Sequence, residues 1–144
     1  MIVDNTLVYS DKQAITATAA STNIVDVGAA GTAFGAGAAV SRDIGKGTEI
    51  PMYLSITEAF NNLTSLKVSF QSDDDPAFGT ANNTVAERTY ALAELTLGAR
   101  LAFPAEIPEG TAGRYTRLNY TVTGTAPTTG KVFAAVVAGR QNNP

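Results

Sequence analysis

The chain has 144 residues, a formal net charge of −3, and no cysteine, histidine or tryptophan. Those absences exclude disulfides, thiolate and imidazole metal sites, and the usual Ser/His/Asp and Cys/His catalytic triads. The acidic balance argues against a nucleic-acid grip, which needs clustered Lys and Arg to displace counterions. Only 16% of residues are charged, so a surface of Thr, Ser, Asn and Ala can be covered by a partner at small desolvation cost.

From the N-terminus, Met1 to Asp4 shows no basic stretch leading into an apolar run, so no secretion signal is expected. Thr6–Tyr9, Ala14–Ala19 and Asn23–Val27 are rich in β-branched residues and are expected to be strands. Gly28–Gly47 follows, rich in Gly and Ala and uncharged until Arg42. It is too weakly hydrophobic to span a bilayer and is expected to be a flexible loop that serves as a contact arm. Met52, Leu54 and Ile56 then alternate with Tyr53, Ser55 and Thr57, the period of a half-buried strand. After a turn at Asn61-Asn62, Leu66, Val68 and Phe70 repeat that pattern.

Asp73-Asp74-Asp75-Pro76 signals a chain reversal. Phe78–Thr84 is expected to be a second mobile segment. Val85–Leu92 has mixed strand character, Ala93–Leu97 suits one helical turn ending near Gly98, and Arg100–Phe103 suits a short strand closed by Pro104 and Pro108. Beyond the Gly110–Gly113 turn, Leu118, Tyr120 and Val122 alternate with polar residues. Past the Gly124–Gly130 turn, Val132–Ala138 is apolar on both parities, as for a strand covered on both faces. The tail Gly139–Pro144 is expected to be flexible. About eight short antiparallel strands with long loops read as one soluble all-β domain over residues 1–144, a sandwich, jelly roll or small barrel.

Chemical motifs are weak. Gly45-Lys46 is followed by Gly47 and preceded by Val40 where a phosphate loop needs its first glycine, and Gly35-Ala36-Gly37 lacks a third glycine. Asp73–Asp75 could attract calcium, but Ala77 and Phe78 break the calcium-loop pattern; the alternative is a solvated turn whose Asp side chains cap backbone N–H groups. Glu58, Glu87, Glu94, Glu106 and Glu109 are scattered, with no spacing that singles out a glycosidase pair. The Asn-X-Thr triplets at Asn62, Asn82 and Asn119 are matches expected by chance in an Asn/Thr-rich chain. No catalytic, cofactor-binding or metal residue is assigned. In Gly113–Tyr120, Arg114, Tyr115 and Arg117 are interface-anchoring types; alternatively, Leu118 and Tyr120 face a core while the arginines find local carboxylates.

Taken in order, several strings resemble the Bbp16-like family of tailed-phage capsid cement proteins. They are Met1–Asp4, Ser10–Thr16, Ala19–Gly28, Asp43–Gly47, Phe70–Asp74 with Ala77-Phe78, and Tyr115–Val122 before an apolar last strand. Against that pattern the Gly28–Val40 loop is expanded. The resemblance implies a jelly-roll-like β-sandwich, not an enzyme and without cofactors, made in the bacterial host cytoplasm and added to the outer surface of the capsid. Its implied partners are the major capsid protein and itself, as a homodimer or else a trimer, with no nucleic acid and no membrane. Other expectations are a different phage structural subunit (head fibre, tail or adaptor) and a carbohydrate-binding β-sandwich, the last disfavoured because Tyr53, Tyr90, Tyr115 and Tyr120 sit inside strand patterns.

Overall fold

The computed structural model describes residues 3–40, 44, 49–79 and 83–140. Among the described residues nine strands form two antiparallel sheets: β1 (Val8–Ala14), β2 (Ala19–Ala20), β3 (Val25–Asp26), β4 (Met52–Glu58), β5 (Leu63–Asp73), β6 (Thr84–Ala91), β7 (Arg100–Leu101), β8 (Tyr115–Gly124) and β9 (Lys131–Val136). One sheet runs β1-β9-β4-β7 and the other β2-β8-β5-β6, with β3 also paired to β8. With β2 and β3 counted as one interrupted strand, strands of equal rank in the two sheets are consecutive in sequence: β1 with β2/β3, β8 with β9, β4 with β5, β6 with β7. That winding is a jelly roll.

Alternation explains the four central strands. On β5, Leu66, Val68 and Phe70 are fully buried and pair across to Val122, Tyr120 and Leu118 of β8. On β4, Met52, Leu54 and Ile56 point into the same core as Val132, Ala134 and Val136 of β9. A single large apolar cluster therefore fills the space between the sheets. β9 is covered on its other face as well, where Ala135 and Val137 pack with Val8, Val3, Tyr53 and Phe133.

Hydroxyl groups also bridge the sheets. Tyr9 of β1 and Thr116 of β8 share a hydrogen bond of 2.8 Å, and Ser10 and Tyr120 one of 2.9 Å. All four residues are fully buried. Burial raises the Tyr9 phenol to about 12, with the Thr116 bond opposing the shift. Burial likewise pushes the Tyr120 phenol well above its ordinary value.

Several expected elements differ: the Asn23–Val27 strand pairs only over Val25–Asp26, and the turn expected at Ala93–Leu97 is a 3-10 turn at Leu92–Glu94. Thr6 and Leu7 lie in a 3-10 turn, because the Asp4 carboxylate accepts from both the Thr6 N–H and its hydroxyl and curls the backbone before β1 can begin. The expected strand Ala14–Ala19 is instead the end of β1, a crossing over residues 15–18 and the start of β2. Ile15 is fully buried there, donating its N–H to Gly130, and the chain bends over Thr16–Thr18 to change sheets. Arg100–Phe103 shrinks to two paired residues: past Leu101 the Phe103 N–H turns instead to the Tyr90 hydroxyl, 2.7 Å away.

Strand β6 is a free sheet edge. Arg88 pairs with Val68 but is exposed, its guanidinium over the Tyr90 ring at 5.0 Å. A charged side chain on an edge strand discourages pairing with another chain.

Candidate functional site

Over the described part of residues 24–50, several large apolar side chains face outward. Six large hydrophobic residues are exposed among the described residues: Ile24, Val27, Phe34, Val40, Ile50 and Leu97. Five of them lie on this stretch. Every residue from 29 to 40 is exposed, and Phe34 is as exposed as an isolated residue, at 109%. Residues 29–40 contain no charged side chain.

The segment is shaped by its own backbone. Val40 donates to the Gly31 carbonyl at 2.9 Å and closes the loop, while Ala36 donates to Ala33 at 3.0 Å and closes the tip. Gly35 has a φ of +80°, the sign a type II turn requires at its third position. Phe34 is the residue before it, so the turn presents the ring at the outermost point.

The root is braced on the body. Val27 donates to the Arg114 carbonyl, and the Arg114 guanidinium grips Asp26 through two hydrogen bonds of 2.9 and 2.8 Å. The Asp26 carboxylate holds that guanidinium's pKa above its ordinary value. Further along, Ile44 bridges Thr111, and Ile107 donates to Ile50. Both sides of the arm therefore stand on the segment joining β7 to β8.

The acidic turn supports that segment in its own way. Asp73 and Asp75 accept from the N–H groups of Asp75 and Ala77, and Asp74 reaches across to accept from the Arg114 N–H at 3.0 Å. Gly113 donates to the Ser72 hydroxyl. A Cβ on Gly113 would sit 2.5 Å from the Asp73 nitrogen, so only glycine allows this approach. Three features that stand far apart in the sequence, the Gly/Ala segment, the Asp triplet and the Arg114 string, thus meet at one place.

Leu118 and Tyr120 of that string are in the core, as expected. Arg114 finds a carboxylate. Arg117 donates to the Gln71 side-chain oxygen at 2.7 Å and stacks on the Phe78 ring at 4.1 Å. Burial lowers the Arg117 pKa, opposed by the nearby charge of Asp73. Phe78, expected in a mobile segment, is instead buried and held at a φ of +53° beneath that arginine. Arg140 of the expected flexible tail donates to the Met52 carbonyl. Residues 1–2, 41–43, 45–48, 80–82 and 141–144 lie outside the described residues, so the expectations for Gly45-Lys46-Gly47 and for the end of the tail fall there.

Glu58, Glu87 and Glu94 do not converge, whereas Glu106 lies beside Glu49 and near Glu109. Glu58 pairs with Lys131, Glu87 with Lys67, and Glu94 accepts from the Ala91 N–H. Desolvation raises the Glu106 carboxyl pKa, with the neighbouring Glu49 adding to the shift. Among the described residues no three acids gather to hold a metal ion. Tyr53 and Phe133 form a half-buried pair outside the first sheet, but their rings are tilted by 56° and Arg100 lies over the Tyr53 face at 5.3 Å. They offer no flat platform for stacking a sugar.

A model of the Bbp16 family matches residues 9–137. The chain belongs to the Bbp16 family. No curated protein matches it. The matched span of this Bbp16 member includes every strand except the first residue of β1, together with the exposed arm.

Proposed function

We propose that this Bbp16 member is a structural cement subunit of a tailed-phage head, bound to the outside of the shell and bridging neighbouring major capsid subunits. The observation that carries this reading is the concentration of exposed apolar side chains on one arm (Phe34, Val40) and beside it (Ile24, Val27, Ile50), against a close-packed jelly roll. A rigid body that keeps its adhesive residues on one projecting segment is suited to joining other proteins. The low charge of the chain lowers the cost of covering its polar surface. The ordered strings from Ser10 to Val122 support the same assignment by their resemblance to capsid cement proteins.

The chain acts by adhesion rather than turnover, with the major capsid protein as first partner and a second copy of itself as another. An interface of standard size, on the order of 1,600 Å² in total, would suffice at each site. Repetition over a symmetric lattice then adds modest contacts into large shell stability.

The test is cosedimentation of the purified chain with heads of the source phage assembled without it. Saturable binding at micromolar concentration and a higher temperature of head rupture are expected. Absence of a sedimenting complex, or binding confined to tails, would overturn the assignment.

A further inference from the structure

We propose that Glu49 and Glu106 form a proton-operated clasp at the foot of the arm: the contact between residues 49–52 and 105–107 is tight when the two carboxyls share one proton and loosens when both are ionised. The clasp is a property of the isolated chain, and it holds or fails independently of the shell-binding reading above.

The backbone brings the two acids together. Met52 donates to the Ala105 carbonyl at 2.9 Å and Ile107 to the Ile50 carbonyl at 3.0 Å, with Pro51 and Glu106 opposite each other in an antiparallel bridge. Those bonds flank Pro51 and Glu106 rather than join them, which makes the two a non-hydrogen-bonded pair, the kind whose side chains lie closest. Glu49 precedes Pro51 by two residues, the spacing that returns a side chain to the same face of an extended chain. Its carboxyl is in hydrogen-bonding reach of the Glu106 carboxyl. An ionised carboxylate only accepts, so a hydrogen bond between the two needs one proton. Without it, two like charges are held together by backbone bonds that must break before the charges can separate.

The surroundings favour the proton. Glu106 is half-buried. Loss of water is the largest influence raising its pKa, followed by the charge of Glu49, the bond to Glu49 and the charge of Glu109. The Arg140 guanidinium, anchored on the Met52 carbonyl at 3.1 Å, opposes them. From β6, Glu87 and Arg88 border the same depression as Glu106, and their opposite charges offset each other. A carboxyl held above its ordinary 4.5 in the folded state contributes stability that is present below that value and is lost as pH rises through the folded value. The clasp is therefore closed in acid and open at neutral pH.

The test is amide hydrogen exchange on the full chain at about pH 4.5 and about pH 7, corrected for intrinsic rates. It is read at Met52 and Ile107 inside the clasp and at Ser21, which donates to Leu118 in the body. In the wild type, protection at Met52 and Ile107 relative to Ser21 is expected to fall by more than about twofold on going to neutral pH. Glu106→Gln keeps a neutral side chain that can still bond Glu49, and it is expected to hold the acid level of protection at both pH values. Glu49→Gln is expected to flatten the profile in the same way, and Glu109→Gln to leave it close to wild type. A flat wild-type profile, or a pH dependence that survives in Glu106→Gln, overturns the clasp. So does a Glu109→Gln chain as flat as Glu106→Gln, since surface charge in general would then be acting. Should Glu106→Gln fail to fold, NMR titration of the Glu106 carboxyl carbon in the wild type decides. A midpoint above the ordinary value that drops in Glu49→Gln supports the pair, and a midpoint at or below the ordinary value overturns it.

Discussion

The sandwich body and the arm at residues 29–40 treat apolar side chains in opposite ways. In the body, Leu66, Val68, Phe70, Leu118 and Tyr120 have no exposed surface, and even the polar hydroxyls of Tyr9 and Ser10 are paired across the core. In the arm, Phe34 touches nothing that would shield it from water, and the bonds that shape the loop are its own. The hydrophobic effect acts on both, but in the body it is consumed in folding and in the arm it is left for association. Stability and attachment should therefore be separable by mutation.

The comparison breaks first at the core. Leu118→Ala is expected to destabilise the fold by about 3–5 kcal/mol, measured as a shift of the urea unfolding midpoint. A loss below about 1 kcal/mol would mean that the body is not close-packed and that the contrast with the arm is false. Alkaline titration gives the next largest effect. The folded Tyr9 phenol titrates at about 12 against an ordinary 10.0, so the folded state holds its proton more tightly than the unfolded chain. That contribution is fully present below about pH 10 and disappears as pH rises to about 12, a loss of roughly 2–3 kcal/mol, with Tyr120 acting in the same direction. Denaturant melts at pH 8, 10 and 11.5 check it; a flat profile would show the phenols to be wet.

Tyr120→Phe sharpens the picture more finely. It removes the bond to Ser10 but leaves the Ser10 hydroxyl its partner at Gln13, so a loss of about 1 kcal/mol is expected in thermal melts. At the other extreme, Phe34→Ala is expected to leave stability within about 0.5 kcal/mol of the parent chain. A clear drop in melting temperature would show that the ring supports the body after all.

The central strands were legible because burial on one face imposes a period of two, and Met52–Ile56, Leu66–Phe70 and Leu118–Val122 display it directly. Strand β1 was not. Its register against β9 shifts between Val8 and Ser10 and again between Ser10 and Gln13, which erases alternation. Its buried serine finds one of its two partners in a tyrosine 110 residues away. The arm was legible as a loop from its Gly and Ala content, but nothing in that composition says that Phe34 stands outside rather than folding back onto the core. Phe78 shows the converse: it sits in a stretch of turn residues, yet Arg117 covers it. In both cases long-range packing decides, and local sequence carries no trace of it.

The guanidinium of Arg88 on the edge strand β6 has a consequence for any surface on which many copies stand side by side. Crowding brings free sheet borders together, and two uncapped borders zip into fibres that no lattice can use. A further strand laid beside β6 would have to desolvate that cation, which works against lateral pairing between copies.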